Sequence, residues 1–533
     1  MKKRNITEWL FPSIADVVFL CMFAWILHTG AGLLNDGDTG WHIRTGEGII
    51  NTMTVPKADP YSHTMPGTPW TAHEWLSEVV FAVFDRAMGL NGVVVLTASV
   101  ICMTFLMLYR YMAGGGVGPL MAAVLAAFAG LASSLHWLAR PHIFSFPLTL
   151  AFFIVLDSYQ SGGRDRLRWL PLLMVLWVNL HAGFMLGLMF VFIYLGGNLV
   201  RCALSPDLRE EAMQRSKRLG FIAALTLLAT FINPQGYKIL FFPFHLIGRR
   251  YLMDNIQEFL SPNLHVDRPF EAMLLVFLAV FIFSRKRPNI FEGAIALLLT
   301  HMSLYSARYI PLMALAVTPM VGRRAGDALE GMSEGFFGAG AFKMVRERLA
   351  RLSEDVARTD SRFDAHLWVY TAVAACFAVA LNGGMLGGQR LMDYSQDRER
   401  FPVGALDFAL KNNISGNMFN NDSWGGYIIY RCYPKYRVFF DGRSDMYGVS
   451  FTKEYATISR CEPGALDVLD KYKVSWVIYN ANAPICRLLA AGGAWKLVYA
   501  DGTADILLKD VPENRAIIKK YKNAHFVPNY EQD

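Results

Sequence analysis

Charge is what this sequence has least of. Asp, Glu, Lys and Arg make up 18% of the 533 residues and hydrophobic residues 53%, whereas an ordinary soluble domain is roughly 25% charged. With a mean hydropathy of +0.28, that shortage excludes a conventional water-soluble globule. Cysteine pairs are missing as well. The seven cysteines include no C-x-x-C spacing, so neither a zinc site nor a dithiol redox motif is indicated. No Walker-type or dinucleotide glycine signature occurs, which removes the usual phosphate-cradling loops. The net charge of +7 is spread through short clusters between apolar blocks, a pattern of membrane topology and not of nucleic-acid binding. No small-x-small site follows the first apolar block, so that block reads as a retained span and not as a cleaved signal peptide.

What is plentiful is apolar blocks of about 15–22 residues, the length that crosses roughly 30 Å of hydrocarbon. Eleven spans are expected, at about 14–34, 90–109, 117–135, 143–158, 169–180, 184–200, 219–232, 271–284, 290–304, 309–321 and 366–383. Lys2, Lys3 and Arg4 precede the first, which places the N-terminus in the cytoplasm by the positive-inside rule. Each basic cluster then falls inside: Arg110, Arg164 to Arg168, Arg201 to Arg218, Arg285 to Arg287, and the segment 323–365. The expected organisation is a transmembrane domain over 1–390, with a first outer loop at 35–78 and a cytoplasmic segment at 323–365. Residues 77–89 read as an amphipathic helix on the membrane surface.

Residues 391–510 change character and form an expected extracytoplasmic α/β domain. Strands are expected at 416–420, 437–441, 474–480, 495–500 and 504–509, with helices at 402–412, 465–472 and 485–491. Such alternation indicates a largely parallel sheet, closed by a hairpin across Asp501-Gly502. Cys432, Cys461 and Cys486 give this part the thiols for one disulfide, with no pairing defined by spacing. The tail over 511–533 is polar and expected to be poorly ordered.

The chemistry concentrates in the first outer loop. Asp36 and Asp38 lie two apart, with glycines at 37 and 40 that permit a tight turn near a ligand. One carboxylate suits a general base towards an acceptor hydroxyl, the other a group that orients or holds a cation. The plainer reading is a cap for a helix starting near Thr39. His42, His73 and Glu74 are further candidates, and Asp36, Asp38 and His42 have ligand chemistry for a divalent cation. On the same outer side fall Arg140 with His142, Asn179 with His181, Asn233, and Arg308. The arginine fork suits phosphate. Each residue alone also reads as an interfacial or capping group, but together they suggest a cavity at the outer surface. The run Asp441-Gly442-Arg443-Ser444-Asp445 reads first as a turn with an internal ion pair, and second as a ligand site.

The motifs carry a resemblance. Asp36-Gly37-Asp38-Thr39-Gly40-Trp41-His42, Asp59-Pro60-Tyr61-Ser62, Trp70-Thr71-Ala72-His73-Glu74-Trp75, Ala139-Arg140-Pro141-His142, Trp424-Gly425-Gly426-Tyr427 and Phe440-Asp441-Gly442-Arg443 resemble glycosyltransferase-like bacterial membrane proteins of the GT-C superfamily, near its protein mannosyltransferase and aminoarabinose transferase branch. The resemblance implies a polyprenyl-phosphate-linked sugar donor, inversion at the sugar, and a first-loop carboxylate as base. That role falls on Asp38, with Asp36 as the alternative; a glycine separates acids that are adjacent in the mannosyltransferase pattern. The expected protein is thus a multi-pass transferase of the bacterial inner membrane acting on a lipid, glycan or protein acceptor at the outer face. Its partners are the donor and membrane lipid, with no nucleic acid. The rival readings are a flippase for a lipid-linked precursor, which would call for repeat symmetry or broken midplane helices, and a non-catalytic assembly protein.

Overall fold

The computed structural model describes residues 10–335, 339–360, 363 and 366–527. Lys2, Lys3 and Arg4, on which the orientation of the N-terminus rests, lie outside the described residues, as do 528–533 of the tail and 336–338, 361–362 and 364–365 of the segment expected inside. The chain divides into two compact units.

The first unit comprises Met1–Gly30, Gly92–Trp137 and Pro141–Met392. Its regular structure is helical apart from one short hairpin, β1 (Met385–Leu386) with β2 (Gln389–Arg390). A helix lies at each of the eleven expected positions. Among the described residues, four are by length and hydropathy able to cross a membrane: Trp75–Gly114, Pro119–His136, Pro141–Gln160 and Phe184–Leu204. Ile14–His28, Trp169–Leu180, Ile290–Tyr305 and Leu367–Leu381 are apolar but shorter. Trp75–Gly114 joins the expected surface helix to the second span, with a break at Gly89, whose φ of 61° and ψ of −161° suit glycine.

Ser13 caps Ile14–His28 and exchanges hydrogen bonds with Asp16, and Asn289 does the same with Glu292 for Ile290–Tyr305. Glu292 also joins a buried ionic network. Arg323 bonds Asp157 at 2.8 Å and Glu292 at 2.9 Å, and Arg324 bonds Glu292 at 2.6 Å. Tyr111 donates to the same Asp157 carboxylate. Charges this far from water persist only when paired, so the network fastens helices that their apolar faces alone would leave free to slide.

The second unit comprises Ala31–Asn91, Leu138–Arg140 and Asp393–Asp533. Its sheet has four strands, β3 (Asn417–Asn420), β4 (Val474–Asn480), β5 (Trp495–Ala500) and β6 (Ala504–Lys509), in the order β3-β4-β6-β5. Only β3 and β4 run parallel; β6 is antiparallel to both β4 and β5. The largely parallel sheet expected from the sequence is therefore corrected to a mixed one. The hairpin places β6 between β5 and β4, so one three-residue turn, 501–503, replaces the crossover a parallel pair would need.

Three further expectations change. Residues 437–441 form no strand; they meet the first loop through an isolated parallel bridge, Ser62 with Val438, and through the Thr64 hydroxyl, which donates to the Phe439 carbonyl at 2.7 Å. The tail is not wholly irregular, since Arg515–Lys520 is helical. All seven cysteines are free thiols, so the cysteines of this unit make no disulfide.

Alternation along the strands sorts two cores. Trp476, Ile478, Ile506 and Leu508 face one cluster, and Val477 and Leu507 the other. The first cluster also takes in Trp41, Tyr61 and Trp70 from the first loop. Loop and C-terminal segment thus share one core within this unit.

Candidate active site

The helix Asp38–Thr52 begins at Asp38, as the sequence suggests, with Gly37 before it. Asp36 turns back on its own chain and accepts the Asp38 backbone N–H at 2.7 Å. Both carboxylates face Arg140: Nη1 lies 3.1 Å from Asp36 and Nη2 2.9 Å from Asp38. One planar fork thus spans two acids, a geometry arginine has and lysine lacks. The three side chains are only 14–17% exposed, where an ion pair is screened less than at a free surface. Arg140, expected to face a phosphate, has nitrogens on both acids.

The seam below this group depends on glycine. The helices Asp38–Thr52 and Gly425–Cys432 pack so closely that a Cβ at Gly40 would sit 2.3 Å from the Gly426 carbonyl oxygen, and one at Gly426 would sit 2.0 Å from that of Gly37. A Cβ on Gly442 would fall 1.8 Å from an Asp38 carboxylate oxygen. The turn at 441–443 therefore presses its bare backbone against Asp38.

That turn is held by Arg443, which is 1% exposed. Its Nε and Nη2 each meet an Asp441 oxygen at 2.7 Å, and Nη1 meets Asp59 at 2.8 Å. The guanidinium also lies over the rings of Trp70 at 4.7 Å and Tyr61 at 5.0 Å. Burial by itself would lower its pKa, but the Asp441 carboxylate, the hydrogen bonds to it and Asp59 outweigh burial and push it well above the ordinary arginine value. Asp59 accepts the backbone N–H groups of Tyr61 and Ser62 as well. The sequence pointed to an internal ion pair here; the structure adds Asp59, 382 positions away by residue number, as its second acid.

His42 and its partners form a second group. His42 is fully buried, its ring tilted against that of Trp41, with Nδ1 3.3 Å from Glu78 and Nε2 3.9 Å from Glu74. His73 Nε2 lies 3.9 Å from the other Glu74 oxygen. Glu78 was not singled out from the sequence, although it lies four residues after Glu74, in the first turn of the helix that begins at Trp75. Among the described residues no three His, Cys, Asp or Glu side chains are grouped to hold a metal ion.

The remaining candidates belong to the helical unit. His142 lies 4.2 Å from the His136 ring and 6.4 Å from the His181 ring. His181 Nδ1 meets Ser145 Oγ at 2.7 Å, and Trp177 donates to the same oxygen at 2.8 Å. Asn179 donates to the carbonyls of Val175 and Ile232, both at 2.8 Å. Arg308 lies over the Phe259 ring at 5.0 Å, and among the described residues no carboxylate pairs with it. The structure therefore brings His142 and His181 together and holds Asn179 and Arg308 through other partners.

No protein-family model and no curated protein sequence matches the chain. Solved structures do. The archaeal oligosaccharyltransferase AglB of Archaeoglobus fulgidus, in complex with an inhibitory peptide and a dolichol-phosphate, aligns over 93% of this chain and 75% of its own, with TM-score 0.50 and 12% identity. The same organism's oligosaccharyltransferase in the apo form aligns over 94% and 74%, also at 0.50, with 11% identity. ArnT of Cupriavidus metallidurans bound to undecaprenyl phosphate aligns over 93% and 98%, at 0.44 and 13%. At this identity the likeness shows the fold alone, one that this chain shares with the archaeal oligosaccharyltransferase.

Proposed function

We propose that the chain is a glycosyltransferase that moves a sugar from a polyprenyl-phosphate-linked donor to a lipid, glycan or protein acceptor. In this reading it lies in the bacterial inner membrane with its N-terminus in the cytoplasm and the unit bearing Asp36, Asp38 and Arg140 outside. The observation that carries the proposal is the Asp36–Arg140–Asp38 group at a helix start, backed by a glycine turn. The GT-C fold supports it, and the oligosaccharyltransferase of that fold is seen with dolichol-phosphate and a peptide.

In the proposed step the acceptor oxygen attacks the anomeric carbon as the carbon–oxygen bond to phosphate breaks. The polyprenyl phosphate leaves with the bonding electron pair, and the acceptor's proton passes to Asp38. Attack opposite the leaving group inverts the sugar. Arg140 offsets the repulsion between the two carboxylates and fixes the Asp38 oxygen by its second bond. Asp36 shares that fork and ties the turn to the helix start. The sequence topology supports His142, Asn179, His181 and Arg308 as donor contacts, with the Arg308 fork for phosphate, and His42, His73 and Glu74 as further substrate or positioning groups. Asp36 and Asp38 have the donor chemistry for a divalent cation, but their oxygens face Arg140 and His42 turns to Glu78 and Glu74. No step is routed through a metal.

The test is transfer of labelled sugar from polyprenyl phosphate by purified protein in liposomes. Asp38→Asn should abolish transfer while protein level and thermal unfolding stay normal. Full transfer by that variant removes Asp38 as base. A wild-type protein that translocates the labelled lipid and never transfers its sugar overturns the proposal in favour of a flippase.

A further inference from the structure

We propose that the helical unit carries a binding site for the phosphate of an anionic phospholipid, built on Arg201 and independent of the transfer reaction. A cavity of about 270 Å³ opens where three helices end or begin, lined by Gln160, Asn198, Arg201, Leu208, Glu211 and Arg215. Two of its charges are already committed to each other: Arg215 meets Glu211 at 2.5 Å and donates to the Gln160 carbonyl at 2.6 Å. The Gln160 amide lies 2.8 Å from that of Asn198 and, with its oxygen turned to the cations, accepts from Arg215 Nη1 at 2.7 Å and Arg201 Nη1 at 3.2 Å, a neutral partner for both. Arg201 is the exception. Its guanidinium lies over the Phe291 ring at 4.6 Å, and among the described residues no carboxylate pairs with it. Phe291 is itself stacked on Tyr194 at 5.0 Å. An aromatic face thus fixes the cation without neutralising it, and the wall keeps a net positive charge.

The surroundings fit an amphiphile better than a free ion. Leu208, which lines the cavity, is 45% exposed, and Leu199, Val200 and Leu204, near Arg201 on the same helix, are 50%, 41% and 76% exposed. A diacyl lipid would place its phosphate on Arg201 and its chains along these residues. By the positive-inside rule this end of the bundle, with Arg164, Arg166, Arg168, Lys217 and Arg218, faces the cytoplasmic leaflet, where anionic lipids and basic pockets meet.

The experiment measures thermal unfolding of the full-length protein in neutral detergent, titrated with dioctanoyl phosphatidylglycerol, dioctanoyl phosphatidylcholine or inorganic phosphate. Phosphatidylglycerol should raise the unfolding temperature saturably, and phosphatidylcholine should not. Arg201→Gln should weaken the apparent affinity about tenfold, roughly 1.4 kcal/mol, and Arg201→Lys should retain most of it. An equal response to inorganic phosphate, lost in Arg201→Gln, keeps the site and assigns it to the free anion. Equal responses of wild type and both Arg201 variants to every probe overturn the proposal.

Discussion

Replacing Arg443 by methionine keeps a long side chain between Tyr61 and Trp70 but removes the charge that two buried acids share. Asp441 is fully buried and Asp59 is 6% exposed; without the guanidinium they lose contacts of 2.7 and 2.8 Å to a common cation. Breaking a buried pair by removing one partner costs about 3–5 kcal/mol. In a unit of about 200 residues, each kcal/mol moves the midpoint by roughly 2–4 °C, so a fall of roughly 6–20 °C is expected. Arg443→Lys keeps the charge but not the fork and should fall between wild type and Arg443→Met. The assay is tryptophan fluorescence of full-length protein during heating, at pH 7.5 and pH 5. Burial without a counter-ion raises a carboxyl pKa, so the folded Arg443→Met protein takes up protons that its unfolded chain does not. Its deficit should therefore shrink at pH 5. A midpoint within about 2 °C of wild type at pH 7.5, equivalent to less than roughly 1 kcal/mol, would refute the view that this cation holds the turn.

Gly442→Ala puts a methyl group 1.8 Å from an Asp38 oxygen and should cut transfer at least about tenfold, roughly 1.4 kcal/mol in the barrier; unchanged turnover per folded molecule would mean that Asp38 position is unimportant. Gly426→Ala forces a Cβ to within 2.0 Å of the Gly37 carbonyl and should cost about 1–3 kcal/mol by overpacking, read as a lower fluorescence midpoint; an unshifted midpoint contradicts the tight seam. Asp505 has its pKa pushed up to about 6 by burial, from 3.8. The folded state then binds this proton more tightly than the unfolded state, so the contribution of Asp505 to stability is full below pH 4 and is lost as pH rises through about 6, by up to roughly 3 kcal/mol. Asp505→Asn should flatten that slope in thermal scans between pH 4 and 7, and an unaltered slope removes Asp505 as its source.

Legibility in the sequence followed the range of the interactions involved. The apolar blocks announce themselves because a bilayer demands a long uninterrupted stretch, and the helix start at Asp38 shows in its own turn residues. Strands β4, β5 and β6 lie at the bounds the sequence indicates because hydrophobic runs and a turn at Asp501-Gly502 mark them locally. Pairing direction is not a local property, and the mixed sheet was missed for that reason. The same holds at the site. Asp36 and Asp38 stand out by spacing, whereas the partnership of Arg140 with both, and of Arg443 with Asp59, joins residues about 100 and 380 positions apart. Nor did Glu78 stand out as the partner of His42, because the sequence does not reveal which helix face meets the histidine.

The unit that holds Asp38 is assembled from the two ends of the chain. Trp41, Tyr61 and Trp70 pack in one core with Trp424, Tyr427 and Trp476, and about 300 residues separate the two contributions. At about 5–20 residues per second, a ribosome needs roughly 15–60 seconds to make what lies between. For that interval the early aromatics wait without their packing partners, and the backbone turn that confines Asp38 does not yet exist. A chain broken off between residues 39 and 393 would carry the acids and lack the turn at 441–443. Under the proposed function, premature termination would yield inert protein, and competence would arrive only with the last quarter of the polypeptide.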